Sequence, residues 1–169
     1  GGGQWYKNRP GLLKIFHALR TRHHYAGRLV IVGKPLSAVE LSIAADLGVT
    51  EQLVSLQNVA NPVLEALYSL SEGLIFPSWE EGFGWPLLEA QACGCRVFTS
   101  ERAPMTEVAG DAAVYFDPTD PDAAAERVAA ALRATPPLNE AGLANAQRFS
   151  VAAMIDGYLE LYARLASNP

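Results

Sequence analysis

Apolar residues along the chain recur with two alternating periods, one typical of helices and one typical of buried strands. After Pro10, residues 10–23 place leucine, isoleucine and phenylalanine on one helical face, whereas 28–33 is a short, largely apolar run. The same alternation continues to the end of the chain. It predicts strands at 28–33, 52–56, 74–78, 96–100 and 112–116, and helices at 10–23, 37–48, 61–73, 86–94 and 120–134, with two further helical segments reaching about Ala166.

Strands that alternate with helices of this length indicate βαβ units and a mainly parallel sheet. The predicted fold class is therefore α/β, with three layers in which a parallel sheet is flanked by helices. At 169 residues, the chain is expected to form a single domain, 1–169. Ligands of such sheets bind beyond the carboxyl ends of the strands. Those ends are Gly33–Lys34, 57–58, 77–85 and 100–104.

Local signals predict where two of the helices begin and end. Ser37 and Asn61 are predicted N-caps, because short polar side chains accept hydrogen bonds from the free amides of a first helical turn. Gly48 and Gly73 are the predicted stops, since glycine readily adopts the backbone conformation that ends a helix.

Composition narrows the range of partners. The net charge is −5 and the pI is about 5.2, so the basic surface expected of a nucleic-acid-binding protein is lacking. No apolar run approaches the roughly 18–20 residues of a membrane-spanning helix.

Cys93 and Cys95 are too close in sequence for an ordinary disulfide. Reduced thiols are expected, and with them a cytoplasmic location.

Several familiar ligand-binding patterns are incomplete. Residues 27–34 resemble a P-loop but have one residue too many between the glycines, and 82–84 begins a dinucleotide fingerprint whose third glycine is replaced by Leu87. The acidic pair in 120–122 precedes a long alanine-rich helix, so capping explains it better than metal binding. The three histidines have no ligand spacing with any acid. No metal site is therefore expected.

The glycine-rich stretch 80–94, EEGFGWPLLEAQACG, is the strongest candidate for a ligand site. Pro86 is predicted to be the first residue of a helix that follows the loop. The amides of Leu87 and Leu88 would then lack intrahelical partners, and the helix dipole would favour an anion beside them. The stretch therefore predicts a site for a diphosphate.

Two carboxylates flank this predicted diphosphate site. Glu89, one helical turn along, is expected to reach uncharged polar groups such as ribose hydroxyls. Glu81, in the loop, is expected to bind hydroxyls of an attached sugar, because a carboxylate next to a phosphate would repel it. Gly82 and Gly84 would allow the backbone to approach a ligand closely. The alternative is that both acids merely occupy a helix start, where acidic residues are common.

The segments PSWEEGFGWPLLEAQACGCRVFTS, at 77–100, and APMTEVAGDAAVYFDPTDPDAAAERV, at 103–128, resemble the donor-binding half of the family 4 retaining glycosyltransferases. That family has the GT-B architecture of two Rossmann-like halves, and its motif contains two acids separated by seven residues. The resemblance extends from Lys7 to the terminal helices. The residues that match the central motif are Pro77, Ser78, Glu81, Gly82, Phe83, Gly84, Glu89, Ala90, Ala92 and Gly94, followed by 107–113 and 117–118.

The resemblance implies a role for each acid and for one lysine. Glu89 matches the family residue that hydrogen-bonds the ribose of a nucleotide-sugar, and Glu81 matches the one that contacts the donor sugar near its anomeric centre. Lys7 matches a lysine that neutralises the diphosphate, so Glu81 and Lys7 are the implied catalytic residues. The donor-binding residues would be Phe83, Gly84, Trp85, Leu87, Leu88 and Glu89, with Gly33 and Lys34 at the end of the first strand.

The resemblance also implies a function and a missing part. The chain is expected to bind the nucleoside-diphosphate-sugar donor of an enzyme that transfers a hexose-type sugar to an acceptor hydroxyl, without a cofactor or a metal. The acceptor would bind to an amino-terminal domain that this chain lacks, and any peripheral membrane association would be made there. The chain is thus expected to be a carboxyl-terminal fragment, inactive alone, whose first strand is cut just before Gly1.

Some features depart from the family or leave alternatives open. The arginine that many members carry before the lysine is absent at 2–4, and Arg9 does not have the right spacing to replace it. A different GT-B enzyme, such as a sugar-nucleotide epimerase or a phosphorylase-like enzyme, remains an alternative, as does a non-catalytic nucleotide-sugar-binding module. Trp79, Trp85 and Tyr68 are compatible with either the core or the site.

Overall fold

The computed structural model describes residues 3–134 and 138–167, and it confirms the predicted alternation of strands and helices. The strands are β1 (Leu29–Val32), β2 (Leu53–Leu56), β3 (Leu74–Phe76), β4 (Val97–Ser100) and β5 (Ala113–Phe116). The helices are α1 (Arg9–Arg22), α2 (Ala38–Asp46), α3 (Asn61–Leu70), α4 (Trp85–Ala92), α5 (Met105–Ala109), α6 (Pro121–Ala134), α7 (Glu140–Gln147) and α8 (Val151–Ala166).

All strand pairs are parallel, as predicted, but the described strands form two sheets rather than one. β1 pairs with β2, so that Leu29 lies opposite Leu53. β4 lies between β3 and β5 in the second sheet. Every residue of β4 is buried, as expected of a strand that has neighbours on both edges and helices on both faces. The predicted fold class, α/β with parallel strands flanked by helices, is confirmed.

Alternate side chains of β4 enter two different parts of the core. Phe98 packs with α1 and α6, whereas Val97 packs with α4 and α5. A third cluster, around Leu13, Phe16 and Ala44, joins α1 to α2. Helix α1 contributes to the first and third clusters, so it ties the β1–β2 sheet to the β3–β4–β5 sheet.

Two predicted helix caps are present. The Ser37 hydroxyl accepts the Glu40 amide while the Glu40 carboxylate accepts the Ser37 amide, which completes a capping box at α2. Asp120 Oδ1 accepts the amides of Asp122 at 3.2 Å and Ala123 at 3.0 Å. This confirms that Asp120 caps α6, as the sequence predicts.

The predictions for α3 and for the following short helix need correction. Asn61 does not cap α3: it is the first helical residue, Ala60 occupies the N-cap position, and no side chain caps the helix. The helix begins one residue early because Pro62, in its first turn, needs no amide partner. It ends at Leu70 instead of near Gly73. Helix α5 was not predicted, because five residues are too few to show a helical period.

The two cysteines are unpaired, as the sequence predicts. Cys93 and Cys95 are free thiols, and burial raises the pKa of both. No residue of α8 is buried. Among the helices of the described residues, none is long and apolar enough to cross a membrane.

Candidate functional site

The carboxyl ends of β1 and β3 are held by one short segment, Tyr6–Arg9. The Asn8 side-chain amide donates to the carbonyl of Pro77, just after β3, at 3.0 Å. The Arg9 guanidinium donates to the carbonyl of Lys34, just after β1, at 2.8 Å. This segment therefore crosses the edge of the domain at which ligands of parallel sheets bind.

Asn8 and Arg9 are fixed in this position by the start of α1. Asn8 has a left-handed backbone, with φ of 50°, and its side-chain oxygen accepts the Gly11 amide at 3.1 Å, which caps the helix. Asparagine tolerates this conformation better than most residues. Arg9 is buried and also lies 3.7 Å from the Glu40 carboxylate. Arg9 therefore supports the end of β1.

Lys7 and Glu81, the two predicted catalytic residues, form an ion pair. Lys7 Nζ lies 2.7 Å from each carboxylate oxygen of Glu81. The side chains are only 18% and 7% exposed. Rings of Tyr6 and Phe76 each lie with their centroids 5.4 Å from Nζ. The ammonium group is therefore held at the carboxyl end of β3 by a carboxylate and two aromatic faces.

The first turn of α4 differs from the prediction in two respects. The helix begins at Trp85, so Pro86 is its second residue. The amide of Leu87 is not free, because it donates to the carbonyl of Gly84 at 2.9 Å, as happens when a first turn tightens. Gly84 has φ of +97°, and a Cβ there would lie 3.1 Å from Leu87 Cδ1. The side chains of Leu87 and Leu88 are buried in the core.

Aromatic side chains form one wall of the loop before α4. The ring centroids of Phe83 and Trp85 are 4.7 Å apart, and Phe83 also packs edge-on against Phe149 at 5.7 Å. Trp85 is 62% exposed, so its ring lies on the surface of the domain and not in the core. Trp79, the other tryptophan of the loop, lies under the Arg102 guanidinium at 5.2 Å.

Glu89 lies on the exposed face of α4, where a tyrosine hydroxyl contacts it. The Tyr68 hydroxyl donates to Glu89 Oε2 at 3.2 Å. Burial, followed by the negative charge of Glu89, raises the pKa of Tyr68 well above its ordinary value. The hydroxyl therefore stays protonated and remains a donor to the carboxylate.

A cavity of about 650 Å³ brings two of the predicted residues together, because Lys7 and Glu89 both line it. Glu81 joins this group through its ion pair with Lys7. The hydroxyl of Ser78, also in the lining, is buried and has no hydrogen-bond partner among the described residues. Buried polar atoms normally have a partner, so this hydroxyl is a further candidate for ligand contact.

Gly33 and Lys34 follow β1 directly. The Gly33 amide continues the β1–β2 ladder by donating to the carbonyl of Leu56 at 2.9 Å. The Lys34 side chain is exposed, and neither residue is among those that line the cavity. Within the described part of the chain, no group of three or more histidine, cysteine or acidic side chains is placed to hold a metal ion.

Two contacts of the site could not be read from the sequence. Tyr68 follows the helical period of α3, so nothing distinguishes it from a core residue, although its hydroxyl reaches Glu89. The bond from Asn8 to Pro77 joins residues 69 positions apart. The only local signal for Asn8 is its position before Arg9 and Pro10, which is typical of an N-cap.

Comparison with known proteins gives a family match over most of the chain. The family model described as glycosyl transferases group 1 matches residues 1–148. The O-antigen chain mannosyltransferase B of Escherichia coli is 39% identical over 90 residues, which are 52% of this chain and 24% of that protein. The D-inositol 3-phosphate glycosyltransferase of Salinispora arenicola (strain CNS-205) is 33% identical over 136 residues, 76% of this chain and 30% of that protein.

The solved structures agree with this match at the level of the fold. Sucrose-phosphate synthase from Thermosynechococcus elongatus superposes with a TM-score of 0.80 at 20% identity, covering 98% of this chain and 44% of that chain. The GT-B resemblance predicted from the motif is thereby confirmed. The chain spans less than a third of the two curated relatives and less than half of the solved structure.

Proposed function

This chain belongs to the group 1 glycosyltransferases, and we propose that it binds the nucleoside-diphosphate-sugar donor of a retaining glycosyl transfer. The observation that carries the proposal is the preformed ion pair of Lys7 and Glu81, because Lys7 lines the same cavity as Glu89. In the whole enzyme, a hexose-type sugar would pass to an acceptor hydroxyl. Two relatives are named as glycosyl- or mannosyltransferases, which supports this class of reaction.

Lys7 is suited to bind the diphosphate. An ammonium group has three N–H donors, and Lys7 uses two of them on the oxygens of Glu81. The third is left for a phosphate oxygen. Because the pair is mostly shielded from water, the charge of Lys7 is screened less than that of a surface lysine. It would stabilise the negative charge that grows on the leaving diphosphate without reorganising.

Glu81 is suited to hold the donor sugar. Its carboxylate would repel a nearby phosphate if it were alone, and the ion pair with Lys7 reduces that repulsion. Each carboxylate oxygen can accept more than one hydrogen bond, so Glu81 retains the capacity to accept from sugar hydroxyls. This is a positioning contribution, in which the sugar is held with its anomeric carbon next to the diphosphate.

The start of α4 would complete the donor site. The helix dipole favours an anion at this end even though the Leu87 amide is occupied. Glu89 is exposed on the same helix, where its carboxylate would accept bonds from the ribose hydroxyls. The exposed ring of Trp85 and the left-handed backbone of Gly84 would lie beside the sugar.

The proposed chemistry uses only these groups and the substrates. The bond from the sugar to the diphosphate breaks as the acceptor hydroxyl attacks from the same face, so the anomeric configuration is kept. The scheme has no step that requires a cofactor or a metal. The acceptor would be bound by an amino-terminal domain of the same protein, and a cytoplasmic location would give access to nucleotide-sugars.

Calorimetric titration of the chain with UDP, GDP and ADP tests the proposal. We expect one nucleotide to bind and magnesium to make no difference. Glu89→Gln should weaken binding about 10-fold or more, because a hydrogen bond to a charged group contributes roughly 1.5–3 kcal/mol. Lys7→Met should weaken it by a similar factor. The matched controls are Glu126→Gln and Lys14→Met, which change exposed residues of α6 and α1.

The outcomes separate the alternatives. Equal loss of binding in the control variants would contradict the assignment of Glu89 and Lys7. Binding of a free sugar phosphate, with no nucleotide bound, would favour a phosphorylase-like enzyme. If the folded chain binds none of these ligands, the donor-site proposal fails for this chain.

A further inference from the structure

The loop 77–84 carries Glu81 and is neither helix nor strand. A Cβ at Gly82 would meet no atom of the described residues within 4 Å, and Gly84 has a left-handed backbone. Because glycine is the least restricted residue, the main chain alone does not hold this loop in one conformation. Its shape therefore depends on side-chain contacts, and Phe83 makes two of them to other aromatic rings.

Phe83 joins the loop to a phenylalanine that is distant in the sequence. Its ring centroid lies 4.7 Å from that of Trp85 and 5.7 Å from that of Phe149, which it meets edge to face. Both distances are in the range that aromatic pairs prefer. Phe83 and Phe149 also pack against the buried cluster that contains Leu87 and Val108. Phe149 therefore supports the loop from the side of α7.

Phe149 lies just beyond the end of α7, and Asn145 anchors that end in the core. The Asn145 side chain is buried, and its Nδ2 donates to Gln91 Oε1 at 2.7 Å and to the carbonyl of Val108 at 2.9 Å. Its Oδ1 accepts from Arg148 Nη1 at 2.7 Å. Both donors and the acceptor of this amide thus have partners, which fixes its orientation.

The same anchor holds both the backbone and the ring of Phe149. The Phe149 amide donates to the carbonyl of Ala146 at 3.1 Å, and the Arg148 guanidinium lies 5.3 Å from the centroid of the Phe149 ring. A Cβ at Gly110 would lie 2.8 Å from Asn145 Oδ1, so the end of α7 can approach this closely only because residue 110 is a glycine. A buried, hydrogen-bonded support therefore presents the Phe149 ring to the loop.

We propose that Phe149 is a positioning residue for the donor sugar: its ring fixes Phe83, and with it the loop that carries Glu81. This inference rests on the proposed function for the identity of the ligand. Lys7 already holds Glu81, and α4 begins at Trp85, so Phe83 is the contact in the middle of the segment between them. Sugar hydroxyls need a carboxylate in a fixed position, and a support of this kind supplies it.

The proposal predicts which part of the donor loses affinity when the support is removed. The diphosphate and the ribose would be bound by Lys7 and Glu89, whose own partners are Glu81 and Tyr68. The sugar would be bound by the loop itself. Loss of the Phe149 ring should therefore weaken binding of a nucleotide-sugar more than binding of the same nucleotide without its sugar. A merely structural role would weaken both equally.

The test compares Phe149→Leu with Phe116→Leu, since leucine keeps apolar bulk at both positions and removes the ring. Phe116 is a stringent control, because it is more deeply buried and packs in the separate cluster of α1 and α6. Urea unfolding establishes that both variants fold. Calorimetry then measures the binding of UDP, GDP and ADP and of UDP-glucose, GDP-mannose and ADP-glucose to each variant.

For the nucleotide that binds, we expect Phe149→Leu to weaken its nucleotide-sugar about 3–10-fold, as for the loss of an aromatic pair, and the nucleotide alone less than about 2-fold. Phe116→Leu should change the two affinities by the same factor. Equal weakening of the two ligands by Phe149→Leu would overturn the proposal. The same selective loss in Phe116→Leu would also overturn it, because the effect would then reflect the core in general.

A second measurement needs no ligand. The tryptophans are replaced by fluorotryptophan, and the fluorine NMR signal of Trp85 is assigned with Trp85→Phe. Phe149→Leu should shift this signal, because the Phe83 ring beside Trp85 is released, and should leave the signal of Trp5 unchanged. An unchanged Trp85 signal would contradict the proposal. If the original chain binds no nucleotide, the proposed function fails, and the Trp85 signal alone decides whether Phe149 orders the loop.

Discussion

The β1–β2 sheet and the β3–β4–β5 sheet are built from similarly apolar strands but are buried to different extents. Val30 in β1 is 42% exposed, whereas Val97 in β4 is 1% exposed. β4 has a strand on each edge and helices on each face, while the described residues give β1 one strand neighbour. An apolar strand sequence therefore shows that a strand can be buried. How far it is buried depends on the strands and helices that surround it.

The candidate site is divided between the same two regions. Lys7, Glu81 and Glu89 lie on the side of β3 and α4, where the pair of Lys7 and Glu81 is already formed. Gly33 and Lys34 lie at the end of β1, where the carbonyl of Lys34 accepts a hydrogen bond from the Arg9 guanidinium. The proposed catalytic residues Lys7 and Glu81 thus lie beside the β3–β4–β5 sheet.

The largest expected effect comes from making the same substitution in both sheets. Val97→Ala should lower the free energy of unfolding by about 2 kcal/mol or more, because it removes two buried methyl groups and leaves a cavity. Val30→Ala should lower it by less than about 1 kcal/mol, since that side chain is already partly in water. Urea unfolding followed by circular dichroism measures both values.

Equal losses in the two valine variants would show that β1 is as well packed in solution as β4, which contradicts the comparison.

The second largest expected effect is a difference in coupling energy between two ion pairs that have similar distances and different exposure. Lys7 and Glu81 lie 2.7 Å apart and are 18% and 7% exposed, and Arg22 and Asp122 lie 2.9 Å apart and are 61% and 54% exposed. A double-mutant cycle with Lys7→Met and Glu81→Gln should give a coupling energy of about 1–2 kcal/mol. The cycle with Arg22→Met and Asp122→Asn should give less than about 0.5 kcal/mol.

Salt provides the control for this second comparison. Raising the ionic strength should reduce the coupling of the exposed pair more than that of the shielded pair, because solvent ions screen surface charges more effectively. If both couplings were equal and equally sensitive to salt, Lys7 and Glu81 would be an ordinary surface pair, and the idea of a preformed site would fail.

Much of the fold was accessible from the sequence, because each element carries a local signal. The apolar run in 28–33 correctly indicated a strand. The capping side chains of Ser37 and Asp120 correctly indicated the starts of α2 and α6. The pairing of Lys7 with Glu81 joins residues 74 positions apart. No local pattern reports such a contact, and only the family resemblance suggested that both residues belong to one site.

The predictions that were wrong concern features that depend on adjacent residues in the chain or on which strands pair. Asn61 has a good capping side chain, but the proline after it moved the helix start forward. The amide of Leu87 was expected to be free, and a tightened first turn supplied the carbonyl of Gly84. The division into two sheets depends on which strands pair, which periodicity does not specify.

The smallest expected effect tests how Glu89 is positioned. Tyr68→Phe removes the hydroxyl that donates to Glu89 Oε2 at 3.2 Å, and it should weaken nucleotide binding about 2–3-fold, since a hydrogen bond to an exposed group contributes roughly 0.5 kcal/mol. Burial raises the pKa of Tyr68, so the hydroxyl stays protonated and the effect should be constant from about pH 6 to 9. Calorimetry of this variant is compared with Tyr162→Phe, a change on the exposed helix α8. A loss of about 10-fold or more would mean that Tyr68 contacts the nucleotide itself. No loss at all would mean that Glu89 needs no support from α3.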